Sequence, residues 1–272
     1  MMRKFSLLIY VSIIFINCED PIDVSLNDTK EILVVEAFIN WIKENKTTEQ
    51  VVNLSLSSPY FNTDFKAANN ANVVIEDEHG NTFNFYEQGN SGRYLSSDTI
   101  PYKFDETFTL KIEFKGEKYI AKESLISVSS IERIEQETVN LFSNESVQLE
   151  AHAFDPVDEK NYSFFEFVGD KLEVSEYNLF RDDFSNGGEY YGFLLDSKLK
   201  TGDSIRIRQY GLSNIAYNYW YLLIFQNTQQ GGPFQTNPVN LVGNIIHESD
   251  SNLNPLGYFR VSETSEVNYI IK

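Results

Sequence analysis

The chain has 272 residues, a formal charge of −18 and an isoelectric point of about 4.5. So acidic a surface repels phosphate backbones and anionic headgroups, which argues against nucleic-acid binding. Hydrophobic residues make up 42% of the chain and aromatic residues 14%, which is the composition of a folded protein and not of a disordered acidic tail.

The N-terminus has the pattern of an export signal. Two basic residues precede an almost wholly apolar run from Phe5 to Ile16, which is too short to cross about 30 Å of hydrocarbon as a helix. This pattern predicts a signal peptide over residues 1–17. No later stretch of the sequence reads as a membrane span, so any membrane attachment is expected near Cys18.

Cys18 is the only cysteine, so it cannot form a disulfide within the chain and is an intermolecular bridge, a free thiol or a modification site. The segment Phe15–Cys18 resembles a bacterial lipobox, although Asn17 stands where Gly, Ala or Ser is usual. We therefore predict cleavage before Cys18 and lipidation of its thiol, with acyl chains that hold the protein to a bilayer. The alternative, a buried cysteine in a strand, is disfavoured because residues 19–21 (Glu-Asp-Pro) make a poor strand.

The sequence next predicts a polar tether and a first β domain. Residues 18–30 are polar and predict the tether. Residues 31–126 predict an immunoglobulin-like or transthyretin-like β-sandwich, because short strand patterns alternate with turn signals and no helix intervenes. Trp41 is expected in a loop after the first strand. The predicted strands cover residues 31–40, 50–57, 72–77, 82–86, 92–95, 108–114 and 118–122.

A Ser-rich stretch, residues 125–130, marks a predicted boundary, and residues 127–272 predict a second β-rich domain. Apolar residues spaced by three and four over residues 213–230 predict an amphipathic helix, capped by Ser213 or Asn214 and stopped by Gly231-Gly232-Pro233. The predicted strands cover residues 131–139, 146–154, 162–168, 189–195 and 204–210, with two closing strands at 256–262 and 266–271.

Aromatic residues in and after the helix are the candidate partner-binding groups, because aromatic side chains are enriched in interface cores. The candidates are Tyr217, Trp220, Tyr221 and Phe234, with Trp41 as a further exposed aromatic. The alternative is that the helical aromatics pack the helix onto the second sheet.

The sequence contains no recognisable catalytic or metal-binding motif. His79, His152 and His247 are too far apart for a zinc pattern, and there is no nucleophile elbow or phosphate loop. We therefore predict a protein that is not an enzyme and has no cofactor or metal. The acidic run 155–159 could offer oxygen ligands to calcium but lacks the spacing and glycine of a calcium loop, so a solvated turn is expected. Glu76-Asp77-Glu78 is likewise expected to be a solvated face.

Several short motifs, in their order and spacing, resemble a Bacteroidota outer-membrane lipoprotein family known as domain-of-unknown-function family 4249. The resemblance covers residues 18–272 and departs at residues 37–40, where family members usually have a Gly after the Glu. It rests on residues 33–36, 71–75, 92–94, 154–156, 161–162, 217–230, 232–234, 243–245 and 256–259.

The resemblance implies an outer-membrane lipoprotein that is encoded beside a TonB-dependent receptor and serves it in uptake. The family has no established catalytic residues to carry over. Glu19-Asp20 is similar to the acidic signal that directs such lipoproteins to the cell surface, so a surface-facing anchor is expected.

Two functions remain open. The first is a non-catalytic accessory module that docks on a membrane receptor or its ligand, for which a flat surface with an exposed aromatic patch would be typical. The second is a carbohydrate-binding or carbohydrate-degrading lipoprotein, for which a concave aromatic groove with converging carboxylates would be typical.

Overall fold

The computed structural model describes residues 31–58, 64–141, 144–157, 159–183, 187–228 and 241–272. The predicted signal peptide, the tether with Cys18, and Phe234 lie outside the described residues. No helix in the described part of the chain is long and apolar enough to cross a membrane.

The chain is mainly β, as predicted. The described strands are β1 (Leu33–Ile42), β2 (Thr47–Leu56), β3 (Lys66–Ala67), β4 (Asn72–Asp77), β5 (Thr82–Glu87), β6 (Arg93–Ser96), β7 (Thr107–Phe114), β8 (Glu117–Ser124), β9 (Arg133–Leu141), β10 (Asn144–Phe154), β11 (Tyr162–Val168), β12 (Glu176–Arg181), β13 (Glu189–Asp196), β14 (Ser204–Gly211), β15 (Ile245–His247) and β16 (Leu256–Ile270). They are accompanied by helix α1 (Asn214–Thr228) and a 3₁₀ turn (Ser251–Leu253).

Thirteen of the described strands form one sheet, in the order β12-β11-β14-β16-β1-β2-β6-β5-β4-β7-β8-β15, with β3 paired to β2. A second sheet has the order β13-β10-β9. Every pairing between described strands is antiparallel except β1–β16, which is parallel. The first and last described strands are therefore neighbours near the middle of the large sheet.

The strands of the first half enclose one hydrophobic cluster, as expected of a sandwich. Val35 on β1, Ile75 on β4 and Leu110 on β7 are fully buried within it, and Phe259 of β16 joins them. The predicted hairpins β4–β5 and β7–β8 are confirmed. The second turns through Lys115 and Gly116, both with positive φ, as expected of a tight two-residue hairpin.

Trp41 corrects one prediction. It lies inside β1 and not in a loop, it is 4% exposed, and its indole Nε1 donates a hydrogen bond to the Ile100 carbonyl at 3.1 Å. Its ring packs against Phe108 and Tyr102. The strand continues past its expected end because partners that lie some sixty residues further along the chain bury the indole, so Trp41 is not an exposed aromatic.

The second half buries its apolar residues between the small sheet and the end of the large sheet. One buried cluster joins residues of three strands. Its members include Leu149 and Ala151 of β10, Phe165 and Phe167 of β11, and Ile207 of β14. Gly192 of β13 lies so close to this layer that a Cβ there would be 2.4 Å from the ring of Phe165. Residues 170–188, left undecided by the sequence, contain β12.

β16 is one strand of 15 residues and not the two closing strands that were predicted. Its first part pairs with β1 up to Thr264, and from Thr264 onwards it pairs with β14. The polar stretch Ser262–Ser265, whose last three residues lie between the two predicted strands, is buried. The Glu263 carboxylate accepts hydrogen bonds from the Val128 amide and the Tyr102 hydroxyl, so distant segments satisfy its polar groups.

The stretch at the predicted domain boundary also lies against β16. The Ile126 amide and carbonyl bond to the backbone of Val261 and Glu263, and the Ile131 amide donates to Ser265 Oγ at 2.9 Å. The hydrophobic clusters of the two halves are separate, but the large sheet runs through the boundary without interruption.

Helix α1 is confirmed, and Ser213 caps it as predicted. Ser213 Oγ accepts a hydrogen bond from the Ala216 amide at 3.2 Å. The periodicity placed Ile215 and Ala216 on the apolar face and Tyr217 on its rim, but Ala216 and Tyr217 are the buried residues and Ile215 is 64% exposed. The helix therefore rests on the sheet along a narrow strip and leaves open space beside it.

Candidate functional site

A groove of about 780 Å³ lies between helix α1 and one face of the large sheet. This volume falls within the range of small-molecule sites, about 300–1,000 Å³. Its floor comes from β1, β2, β11, β14 and β16, and α1 and the residues around the start of β12 line its sides. The described lining residues are mainly aromatic and charged.

Strand alternation places the floor residues on one face. On β16, Phe259 and Val261 are buried in the core of the first half, so Arg260 between them faces the groove. On β14, Ile205 and Ile207 face the other core, and Arg208 faces the groove. β1 and β11 alternate in the same way, so five neighbouring strands contribute to one surface.

Part of the charge on the floor is paired within the protein. Arg208 forms ion pairs with Glu49 at 2.8 Å and with Glu266 at 2.6 Å. The hydroxyl of Tyr210 donates a 2.6 Å hydrogen bond to Glu166 Oε2. Burial raises the pKa of Tyr210, so this hydroxyl remains a donor at physiological pH.

Arg260 differs from these groups because it has no carboxylate partner among the described residues. It is 8% exposed, its Nη2 donates to Asn40 Oδ1 at 3.1 Å, and its guanidinium lies 3.9 Å from the ring centre of Tyr210. Its Nε has no hydrogen-bond partner. Burial lowers the pKa of Arg260, while the nearby Tyr210 and Glu166 oppose that shift. The guanidinium therefore contacts an aromatic face and one amide, and Glu166 and Glu49 stabilise its charge at longer range.

Aromatic rings form the apolar part of the groove. Trp220 of α1 stacks on Phe164 of β11 at 5.0 Å, and Tyr177 of β12 stacks on Phe164 at 5.4 Å. Trp220 Nε1 is buried and has no hydrogen-bond partner. Tyr219 packs against Tyr258 at 5.0 Å. The groove therefore combines ring faces with buried N–H donors.

The structure separates the candidate aromatics that the sequence grouped together. Trp220 lines the groove. Tyr217 is 8% exposed and packs on Tyr162, and Tyr221 is 48% exposed and stacks on Tyr217 at 6.1 Å. Neither Tyr217 nor Tyr221 lines the groove, so among these three helical residues the groove receives Trp220 alone.

Sequence reasoning missed the strand residues of the groove, above all Arg260, Arg208, Glu166 and Phe164. One signal was available, because a charged residue between apolar neighbours, as in Phe259-Arg260-Val261, is unusual for a buried strand. That signal does not say which sheet face the residue occupies or which other residues it meets.

Two groups of acidic residues with a histidine also form, although no histidine spacing predicted them. In the first, the Lys103 ammonium lies 3.2 Å from Asp77 and 3.0 Å from Glu106, and His79 contacts Glu106. Asp77 is 6% exposed, which corrects the expected solvated face. The lysine already supplies the cation that these two buried carboxylates require.

The second group lies on the outer face of the hairpin β9–β10. The imidazole Nε2 of His152 is 3.3 Å from Glu150 and 3.6 Å from Glu135. Arg133 beside it pairs with Glu135 and Glu189. Glu135 and Glu189 therefore have a cationic partner on the same surface, whereas Glu150 accepts a hydrogen bond from the Gln148 side chain.

The acidic run that begins at Asp155 is not a solvated turn at its first residue. Asp155 is 4% exposed and accepts hydrogen bonds from the Gly187 amide and the Asn161 side chain. Burial raises the pKa of Asp155, and the bond from Gly187 partly offsets that rise. The carboxyl group therefore ties together the two loops that leave β10 and enter β13.

The sequence model of one family, described as domain of unknown function DUF4249, matches residues 19–267. No curated protein matches the chain. Among solved structures, a segment of two fibronectin type-III domains from chicken tenascin is similar at 12% identity, with a TM-score of 0.22. The likeness covers 68% of this chain and 93% of that one.

Proposed function

We propose that this chain, which belongs to the family described as domain of unknown function DUF4249, is a non-catalytic binding module. It would hold a small ligand in the groove beside α1. The groove itself carries the proposal: it is concave, lined by ring faces and provided with a few buried polar groups, as ligand sites usually are. Glu49 and Glu166, which line it, are already engaged by Arg208 and Tyr210. Such engagement suits a fixed binding surface better than proton transfer.

The N-terminal sequence supports a proposal about where in the cell the protein acts. We infer that Cys18 carries the lipid, that the protein faces outward from the outer membrane, and that it passes its ligand to a TonB-dependent receptor. Pull-down of the native protein from outer membranes in mild detergent, followed by mass spectrometry, tests the partner. A TonB-dependent barrel in near-equal amount is the expected result, and recovery of the protein alone would contradict the receptor proposal.

Anchoring and orientation have separate tests. A Cys18→Ser variant should leave the membrane fraction, and retention there would contradict lipid anchoring. Replacement of Glu19 and Asp20 by Ala should protect the protein from protease added to intact cells. Unchanged digestion would show that these two residues do not direct surface export.

The groove is tested by blocking it. Leu223 of α1 lines the groove, whereas Ile215 lies on the same helix, is exposed and does not line it. Protein purified from its own cells is denatured, and the released small molecules are identified by mass spectrometry. We expect one compound in near-stoichiometric amount from the wild type and from Ile215→Trp, and its loss from Leu223→Trp. Equal release from all three proteins, or none from the wild type, would refute the binding role.

A carbohydrate-binding or carbohydrate-degrading role is the second candidate, favoured by the concave aromatic groove with its carboxylates and, for degradation, by Glu176. This residue lines the groove, and partial desolvation raises the pKa of its carboxyl group, the direction that a general acid requires, although the residue as a whole is exposed. Incubation with a panel of oligosaccharides, followed by chromatography, distinguishes the two roles. Products that disappear in Glu176→Gln would establish hydrolysis, whereas unchanged oligosaccharides would leave binding alone.

A further inference from the structure

We propose that the ligand of the groove carries a carboxylate group and that Arg260 recognises it, with the ligand's apolar body lying on the aromatic rings around Trp220. This inference rests on the proposed binding function and names its ligand class as small organic acids with a flat apolar part. It rests on two buried N–H groups in the groove that have no hydrogen-bond acceptor.

The first donor is Arg260. The side chain is more than nine-tenths buried and faces the groove, yet its Nε has no acceptor and no described carboxylate forms an ion pair with it. Buried arginine side chains usually pair with carboxylates, because the planar guanidinium presents N–H groups that match two carboxylate oxygens. A carboxylate from the ligand would supply the missing partner.

The second donor is the indole of Trp220. Its Nε1 is buried without a partner, and the guanidinium of Arg260 lies 6.0 Å from its ring centre. An indole N–H can only donate, so both unsatisfied groups call for an acceptor from the ligand. A carboxylate offers acceptor sites on two oxygens and can serve more than one donor at once.

Four of the described acidic residues line the groove, and Glu36 of β1 is the one placed beside Arg260, because it is opposite Tyr258 and two positions from Phe38, the residue opposite Arg260. Glu49 is paired with Arg208, and Glu166 accepts from Tyr210. Glu176 lies on β12, three strands from β16, which corresponds to about 14 Å at the usual strand spacing. A ligand carboxylate is therefore favoured in direct contact with Arg260 and disfavoured near Glu36 and Glu176.

The test uses matched pairs of small aromatic carboxylic acids and their primary amides, screened against the full chain by ligand-observed NMR. Each pair differs only in the charged group. We expect the acids to bind at least tenfold more tightly than their amides to the wild type, and this preference to disappear in Arg260→Met. Arg93→Met is the matched control, because Arg93 is an exposed arginine of β6 that does not line the groove, and it should keep the preference.

Arg260→Lys covers the case in which Arg260→Met does not fold. Lysine keeps the charge but not the planar fork, so binding of the acids should weaken several-fold while binding of the amides stays unchanged. The inference is wrong if acids and amides bind equally to the wild type. It is also wrong if Arg260→Met and Arg260→Lys both keep the full acid preference of the wild type.

The two proposals fail in different ways. If acids and amides bind equally and Leu223→Trp abolishes both, the groove is a binding site and only the carboxylate inference is wrong. If neither class binds the wild type, the carboxylate inference fails, and the release experiment on protein from its own cells decides the binding role.

Discussion

Substitution of Gly257 by alanine should disrupt the seam between β1 and β16. Gly257 is opposite Val35 in the parallel pairing and has φ of +109°. A Cβ at this position would lie 1.8 Å from the Val35 carbonyl oxygen and 2.7 Å from its carbon. Both are backbone atoms, so relief of the contact requires the two strands to move apart.

Two costs add in this variant. A non-glycine residue in a backbone conformation that mainly glycine adopts costs about 1–3 kcal/mol. Insertion of an extra carbon into a closely packed region costs about 1–3 kcal/mol more. We expect Gly257→Ala to lower the free energy of unfolding by about 2–6 kcal/mol, a large part of the 5–15 kcal/mol typical of a folded domain.

Urea unfolding followed by circular dichroism measures this loss, and Gly202→Ala is the matched control. Gly202 has φ of +95°, but a Cβ there would meet nothing within 4 Å. It should therefore show the backbone cost without the steric cost. If Gly257→Ala and Gly202→Ala lose stability equally, the close approach of β1 and β16 at this point is refuted.

Two further predictions concern local interactions. Ser213→Ala removes the oxygen that accepts a hydrogen bond from the Ala216 amide, so it should lower the free energy of unfolding in urea by about 1 kcal/mol. Ser213→Thr should keep most of the cap. Equal losses of stability in the two variants would contradict the capping role. Burial raises the pKa of Asp77, but hydrogen bonds from Asn81 and Lys103 and from the backbone of His79 lower it by more. The net result is a pKa of about 2. Because this folded-state pKa is below the unfolded value of about 3.9, the stabilisation is complete above pH 4 and lost as the pH falls towards 2. The melting temperature of the wild type should therefore fall more steeply over this range than that of Asp77→Asn, and parallel curves would show that Asp77 is not responsible.

The strands were predicted well where local signals agree. β4 and β11 have the predicted bounds, and the turns at Gly80 and Gly116 have the positive φ that glycine permits. Alternation and turn residues act between neighbours in sequence, so they can be recognised without knowledge of the tertiary fold.

The errors occurred where distant partners overrule local patterns. Residues 263–265 separated two predicted strands, but the Glu263 carboxylate accepts a hydrogen bond from Tyr102, 161 positions away, and the strand continues. Asp77 resembles part of a solvated face, but Lys103 compensates its charge, so it can be buried. Burial of a polar group requires a partner, and the sequence does not show which residue that partner is.

The candidate groove could be predicted only in part. Helical spacing and aromatic composition indicated Trp220, because these are properties of one segment. Arg260 became a candidate only once β1, β14 and β16 were placed side by side, with Asn40, 220 positions away, as its amide partner.

Composition, local periodicity and motif order are properties of the linear chain, so they indicated an acidic, mainly β protein of the DUF4249 family with a capped helix over residues 213–230, where the structure describes Asn214–Thr228. The parallel pairing of β1 with β16, and the groove that Arg260, Arg208 and Trp220 face, are properties of the folded chain. The physical reason is that strand pairing and burial are set by interactions between segments far apart in the chain, which no local pattern encodes.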